Sequence, residues 1–111
     1  MNIEDYQDIA YTFAAYPDAL YPVVALSEEV GELSKVYAKA LRGDERYVTE
    51  EVGFTDDALE MLAKELGDCL WMISAIASEN NMSMSDIAKM NIEKLTARKV
   101  KGIIKGDGDD R

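Results

Sequence analysis

The sequence predicts an all-α protein, a four-helix bundle-like protomer. Its apolar residues recur at steps of three and four along four segments, which is the spacing of helices that bury one face. No segment shows sustained two-residue alternation with β-branched enrichment, so strands are not expected. Short polar connections between the four segments favour a helical bundle.

The first helix is predicted from Ile3 to Tyr16, because two prolines, Pro17 and Pro22, then interrupt the pattern. The second is predicted from just after Pro22 to about Leu41, where a basic residue and a glycine supply an end signal. The polar, acidic stretch 44–54 that follows predicts a loop with at most one short helical turn.

The third helix is predicted to begin after Thr55, a favourable N-cap, and to end at Asn80. Ser83 predicts the N-cap of a fourth helix that extends towards Val100. Residues 1–101 then form one all-α domain, and residues 102–111 form a tail that is flexible or docked on a partner chain. A core of this size is thin, so we expect a homo-oligomer, either a dimer or a dimer of dimers.

The composition excludes several classes of function. The chain has 22 acidic and 12 basic residues and a net charge of −10, which disfavours direct nucleic-acid binding. It has no histidine, so histidine catalysis and histidine metal sites are excluded. The lone Cys69 allows no intrachain disulfide and fits a reducing compartment. Without an apolar run of membrane-spanning length or a basic leader, we expect a cytoplasmic protein with no membrane partner.

Carboxylates interrupt the apolar faces of the two central helices. Glu29 and Glu32 lie one turn apart on the second helix, and Glu29 falls within the apolar arc. Glu65 and Asp68 repeat this spacing on the third helix, with Glu65 on the core-facing side. Half-buried carboxylates that repel one another are costly unless something compensates their charge.

Two compensations are open at this point. The carboxylates pair with Lys35, Lys39 or Lys64, although these lysines lie mostly on the outward faces of the helices. Alternatively, a hard divalent cation binds between the helices, and the all-oxygen ligand set favours Mg²⁺, with Mn²⁺ as an alternative, over zinc. A solvated acidic face would explain one such motif, but a second pair on another apolar face favours the metal.

Positive charge is concentrated at the end of the chain. The residues up to Ala88 carry a balance of −13 and those from Lys89 onward a balance of +3. Asn91, Lys94 and Arg98 share one helical face and suit a polyphosphate. Basic residues near a helix C-terminus also interact favourably with the helix dipole, which is the simpler explanation when they are taken alone.

Together these residues resemble the MazG-like, all-α nucleoside triphosphate pyrophosphohydrolases. The resemblance covers nearly the whole chain. It is carried by Tyr16-Pro17, Glu28-Glu29-x-x-Glu32, Glu65-x-x-Asp68, Asn91-x-x-Lys94-Leu95-x-x-Arg98 and the ending Lys105-Gly106-Asp107-Gly108-Asp109-Asp110-Arg111. One departure is the gap of 32 residues between Glu32 and Glu65, which is long for this family; the excess lies between Gly43 and Asp57 and is expected to cover the site or to contact another subunit.

The resemblance implies Mg²⁺-dependent hydrolysis of a nucleoside triphosphate, noncanonical or deoxy, between its α and β phosphates. The products would be a nucleoside monophosphate and pyrophosphate. The implied metal ligands are Glu28, Glu29, Glu32, Glu65 and Asp68. Glu28 would hold a further ion or orient the attacking water, so Glu28 and Glu29 are the candidate catalytic residues. The implied phosphate contacts are Lys89, Asn91, Lys94 and Arg98.

Four aromatic side chains are candidates for stacking on the base, although each could also fill a core or an interface: Phe13, Tyr16, Tyr21 and Trp71. Two rival functions are a non-catalytic acidic module that mimics DNA and a bundle that uses a metal only for structure. An alarmone of the ppGpp type is an alternative substrate. A DNA mimic should display its carboxylates outward, which favours the enzyme.

Overall fold

The fold is that of an all-α protein, as predicted. The computed structural model describes residues 1–51 and 53–102; most of the predicted tail, residues 103–111, lies outside the described residues. The elements in chain order are α1 (Ile3–Tyr11), α2 (Tyr21–Leu41), β1 (Val48–Thr49), β2 (Gly53–Phe54), α3 (Asp56–Glu79) and α4 (Met84–Lys101).

Helix α1 is shorter than the sequence predicts. It ends at Tyr11 rather than Tyr16. Its last turn tightens, because the amides of Thr12 and Phe13 donate to carbonyls three residues back, and the Thr12 hydroxyl donates to the Ile9 carbonyl at 2.6 Å. Residues 12–20 therefore form a connecting segment.

Helices α2 and α3 form the antiparallel pair at the centre of the molecule. Their contact is the most extensive between any two elements of the described chain. Pro22 lies in the first turn of α2, where its missing N–H is harmless. The predicted cap of α3 is confirmed, since the Thr55 hydroxyl accepts from the Ala58 amide at 3.1 Å. The far end of the pair holds a small core in which Val36, Tyr47 and Ala58 are buried.

A short hairpin occupies the segment predicted to be a loop. Strands β1 and β2 pair antiparallel, with Val48 opposite Phe54 and Thr49 opposite Gly53. The expectation of no strands is wrong here, because strands of two residues are too short for an alternating pattern to be visible. Gly53 has a φ of +85°, a conformation that glycine adopts without strain.

Helix α4 is joined to the rest of the chain through α1. The predicted Ser83 cap is confirmed, and Gly102 ends the helix in the left-handed conformation. The buried Gln7 of α1 donates to the Met82 carbonyl at 2.8 Å, and its own carbonyl accepts from the Met84 amide at 2.8 Å. One side chain of α1 thus fixes the turn between α3 and α4.

The chain is less compact than is usual for a domain of its length. Its radius of gyration is 17.1 Å, whereas a compact domain of this length would have about 13 Å. Many large apolar side chains are exposed, on α4 as well as on the central pair. Within the described ranges, no helix has both the length and the apolar character needed to cross a bilayer.

Candidate functional site

Three carboxylates meet between the central helices. Glu29 projects from α2, and Glu65 and Asp68 project from α3 one turn apart. One carboxylate oxygen from each lies within 4.8 Å of the others, and all three side chains are half-buried. Their positions follow from the helix period, because each helix directs the same side towards its neighbour.

The cluster is electrostatically unfavourable without a cation. Partial burial raises the pKa of Glu29, and the charges of Asp68 and Glu65 raise it further. The neighbouring thiol of Cys69 is buried, and its pKa is raised by burial and then by the same carboxylates. A positive charge at this point would relieve the repulsion.

The three lysines that could have paired with the cluster have other partners. Lys35 pairs with Glu32 at 3.2 Å and Lys64 with Glu60 at 3.4 Å, both on the surface. Lys39 donates to the hydroxyl of Tyr47 at 3.2 Å. The first compensation, pairing with these lysines, is therefore used at Glu32 but, among the described residues, not at the three clustered carboxylates. Three oxygen donors at this spacing fit a hard divalent cation such as Mg²⁺ or Mn²⁺.

An aromatic cavity of about 460 Å³ adjoins the cluster. Glu29 forms part of its wall, so the cavity opens directly onto a candidate metal ligand. All four aromatic residues proposed for stacking line it. Its lining residues are Phe13, Ala15, Tyr16, Pro17, Tyr21, Ala25, Glu29, Trp71 and Met72.

A second cavity, of about 400 Å³, lies on the α1 side and shares Phe13 and Trp71 with the first. Asp68 contributes to its wall, together with Tyr6 and Ile9 of α1. Burial raises the pKa of the Tyr6 hydroxyl, and the charge of Asp68 raises it further. The carboxylate cluster therefore lies between two largely apolar cavities.

The segment 12–20 is held by one carboxylate at the end of α3. The Tyr16 hydroxyl donates to Oε2 of Glu79 at 3.0 Å, and the Tyr11 hydroxyl donates to Oε1 of the same side chain at 3.1 Å. Tyr16 also stacks on Tyr21, with ring centroids 6.2 Å apart. The wall of the first cavity is thus connected to both central helices.

The other predicted site residues lie apart from the three carboxylates. Glu28 and Glu32 are exposed, but their charges act on Glu29 and raise its pKa slightly further. On α4, Lys89 and Asn91 are exposed, Lys94 is half-buried and Arg98 is buried. Among the described residues α4 packs chiefly on α1, so the protomer does not bring these four side chains to the cluster.

Sequence reasoning missed Glu79 and Tyr11. They are 68 residues apart in the chain, so no local pattern connects them. An acidic residue in the last turn of a helix, where the dipole disfavours it, is the one available signal.

Comparison with known proteins agrees with the all-α fold. The family model described as the MazG nucleotide pyrophosphohydrolase domain matches residues 20–102. The chain belongs to this family. A curated relative, the Gene 37 protein of Mycobacterium phage L5, is 32% identical over 120 aligned positions that cover all of both chains. No solved structure matches.

Proposed function

We propose that this protein hydrolyses nucleoside triphosphates between the α and β phosphates in a Mg²⁺-dependent reaction. The observation that carries the proposal is the cluster of Glu29, Glu65 and Asp68, which has no lysine partner within residues 1–51 and 53–102 and opens onto an aromatic cavity. Membership of a nucleotide pyrophosphohydrolase family supports the reaction class.

Each part of the site has a role in this reaction. Glu29, Glu65 and Asp68 hold the cation, with Glu32 as a further ligand if Lys35 releases it. When bound, Mg²⁺ supplies neutralisation of phosphate charge and activation of water. Glu28 orients the attacking water or holds a second ion. A water oxygen bonds to the α-phosphorus, the bond to the bridging oxygen breaks, and pyrophosphate leaves while a carboxylate accepts the water's proton.

The cavity supports recognition of the base by stacking rather than by its hydrogen-bonding edge. Its side-chain polar groups are the Glu29 carboxylate, the Trp71 indole N–H and the hydroxyls of two tyrosines, and the Tyr16 hydroxyl is already committed to Glu79. Pockets without built hydrogen-bond partners discriminate weakly between similar ligands. We therefore expect nucleotides with altered base edges to be accepted alongside the common ones.

The assignment of the phosphate-binding residues is a proposal, and it requires either movement of α4 or a second subunit. Lys89, Asn91, Lys94 and Arg98 lie on α4, which packs on α1 rather than on the helices of the cluster. A neighbouring copy, or movement of α4 on substrate binding, would bring these side chains to the triphosphate.

The central pair carries a surface suited to a second copy. Three residues on each helix recur every seven positions with 42% to 54% of their surface exposed: Val23, Val30, Tyr37, Leu59, Leu66 and Ile73. We call this set the heptad face. On each helix it lies about 90° from the side that meets the other helix. Because the two helices are antiparallel, both series fall on one face of the pair, opposite α1.

Charge supports self-association through the heptad face. The residues four positions after its members, which lie on the same side of each helix, are Ser27, Ser34, Ala63 and Leu70, and none of these four is charged. Two chains of net charge −10 can therefore pack these faces without burying like charges. The seven-residue repeat matches packing against an identical helix pair. We propose a homodimer formed through this face.

The reaction is tested by incubating the purified protein with the common ribo- and deoxyribonucleoside triphosphates and dUTP, with and without magnesium. Magnesium-dependent release of pyrophosphate is expected. Glu65→Gln should lower the rate on the order of 100-fold or more without unfolding the protein. The matched control is Glu60→Gln, five residues earlier on the same helix and paired with Lys64, which should keep the wild-type rate.

Two other results would change the conclusion. Release of orthophosphate would show that the bond between the β and γ phosphates is cleaved, which contradicts the proposed reaction. No turnover, with magnesium still raising the melting temperature, would identify a structural metal site.

A further inference from the structure

Glu79 is connected to the wall of the first cavity by hydrogen bonds that the proposed reaction does not itself require. Two tyrosine hydroxyls, from Tyr11 and Tyr16, converge on one carboxylate. Surface carboxylates usually face solvent or a basic side chain. Glu79 instead accepts hydrogen bonds from two neutral hydroxyls, whereas Glu32 and Glu60 each pair with a lysine.

The segment held in this way forms one side of the cavity. Tyr11 is the last residue of α1, and Tyr16 lies midway along the connection to α2. Phe13, Ala15, Tyr16 and Pro17, all from this connection, line the cavity next to Glu29. Phe13 is exposed and belongs to no helix or strand, so the place of its ring depends on how the segment is anchored.

Glu79 itself does not line this cavity, so it would act on a bound ligand only through Tyr16. The Tyr16 ring contacts two partners at once, Glu79 through its hydroxyl and Tyr21 through its face. This fixes the plane of the ring at the wall. A preorganised aromatic wall lowers the entropy lost when a flat ligand binds.

We propose that Glu79 is a positioning residue for the nucleobase, which holds Tyr16 and the 12–20 segment in place as the wall of the base cavity. This inference rests on the proposed function of the site. It assigns Glu79 to affinity for the base and not to the chemical step, since the carboxylates that would hold the metal are on other turns.

The test compares Tyr16→Phe, Glu79→Gln and Glu79→Ala with the wild type. Removing the Tyr16 hydroxyl or the Glu79 carboxylate should raise KM for a nucleoside triphosphate about 5- to 10-fold and leave kcat within about twofold. Glu79→Gln, which keeps one acceptor oxygen, should fall between wild type and Glu79→Ala. The control is Tyr47→Phe, which also removes a hydrogen-bonded hydroxyl but at the hairpin end of the helix pair, and should leave KM unchanged.

A substrate without a base distinguishes the positioning role of Glu79 from a merely structural role. Ribose 5-triphosphate should show the same KM in wild type and in Glu79→Ala, and magnesium should raise the melting temperature of both proteins equally. An unchanged KM for the nucleotide, or an equal loss with both substrates, would overturn the inference.

Failure of the proposed function would look different. If wild type releases no pyrophosphate from any nucleotide, calorimetry with a nucleoside monophosphate still measures binding to the cavity. Weaker binding to Glu79→Ala than to wild type would then support the positioning role, and equal binding would reject it.

Discussion

At the scale of single residues, the position of a carboxylate on its helix decides its partner. Glu29 and Glu65 lie within apolar arcs, which is why the sequence alone identifies them, and they meet in the folded chain. Glu32 lies at the edge of its arc, where the exposed Lys35 is one turn away and pairs with it. A helical wheel predicts which side chains point inward. It does not predict whether a residue at the edge of the apolar arc faces the other helix or pairs with a neighbouring side chain.

Alkaline pH should release the tyrosine hydroxyls from Glu79. Burial, followed by the hydrogen bond to Glu79, raises the pKa of Tyr16 to about 12. A raised pKa means that folding favours the protonated hydroxyl, so the stabilisation is complete below pH 10 and is lost as the pH rises towards 12. Tyr16→Phe should cost about 1 kcal/mol of unfolding free energy at neutral pH. This difference should shrink as the pH approaches 12, as measured by denaturant unfolding.

Ultraviolet titration of tyrosinate provides the control for this prediction. The last ionising step of wild type should be absent from Tyr16→Phe and present in Tyr47→Phe. A constant difference in unfolding free energy across this pH range would contradict the assigned hydrogen bond.

At the scale of secondary-structure elements, the hairpin extends the central helix pair at the end away from the carboxylates. Tyr47 is only 6% exposed and packs against Val36 and Ala58, and Phe54 meets Tyr37 edge to face at 5.1 Å. Val36 is about two helical turns from Glu29. The described part of the excess between Gly43 and Asp57 therefore does not cover the site, which was one of the two roles expected for it.

Tyr47 should account for most of the hairpin's stability. Tyr47→Ala should lower the free energy of unfolding by about 3 kcal/mol, because it leaves a cavity in a small core. Tyr47→Phe should cost less than about 1 kcal/mol, since it removes only the hydroxyl that accepts from Lys39. Thermal or denaturant unfolding measures both. Equal losses would show that the hydroxyl, not the buried ring, holds the hairpin.

At the scale of the whole molecule, the features predicted from sequence are those with a local cause. Helix periodicity and capping residues such as Thr55 and Ser83 gave the number and type of the helices. The end of α1 depends on the hydrogen bonds that Thr12 and Phe13 donate to the preceding turn, and the link from Glu79 to Tyr11 depends on tertiary structure. The position of α4 is set by Gln7, a polar residue that no apolar pattern identifies.

Assembly through the heptad face should depend on its apolar side chains alone. Val30→Glu or Leu66→Glu should convert the dimer to a monomer, because each would bury an unpaired charge. Val24→Glu is the matched control, since it changes an exposed valine of the same helix that lies off the face. Analytical ultracentrifugation measures the mass, and circular dichroism checks that the variants remain helical.

A monomeric wild type would refute this assembly, as would equal dissociation by Val24→Glu and Val30→Glu. For the wild-type dimer, the melting temperature should rise with protein concentration.

The position of the single tryptophan also allows ligand binding to be followed by its intrinsic fluorescence. Trp71 lies in the walls of both cavities beside the carboxylates. A flat heterocycle that stacks on an indole quenches its emission, so entry of a ligand into either cavity should be visible without a dye. Following this fluorescence during a titration with a nucleoside monophosphate, which has no α-β phosphate bond to cleave, would give affinities directly and would separate binding from chemistry in every variant that keeps Trp71.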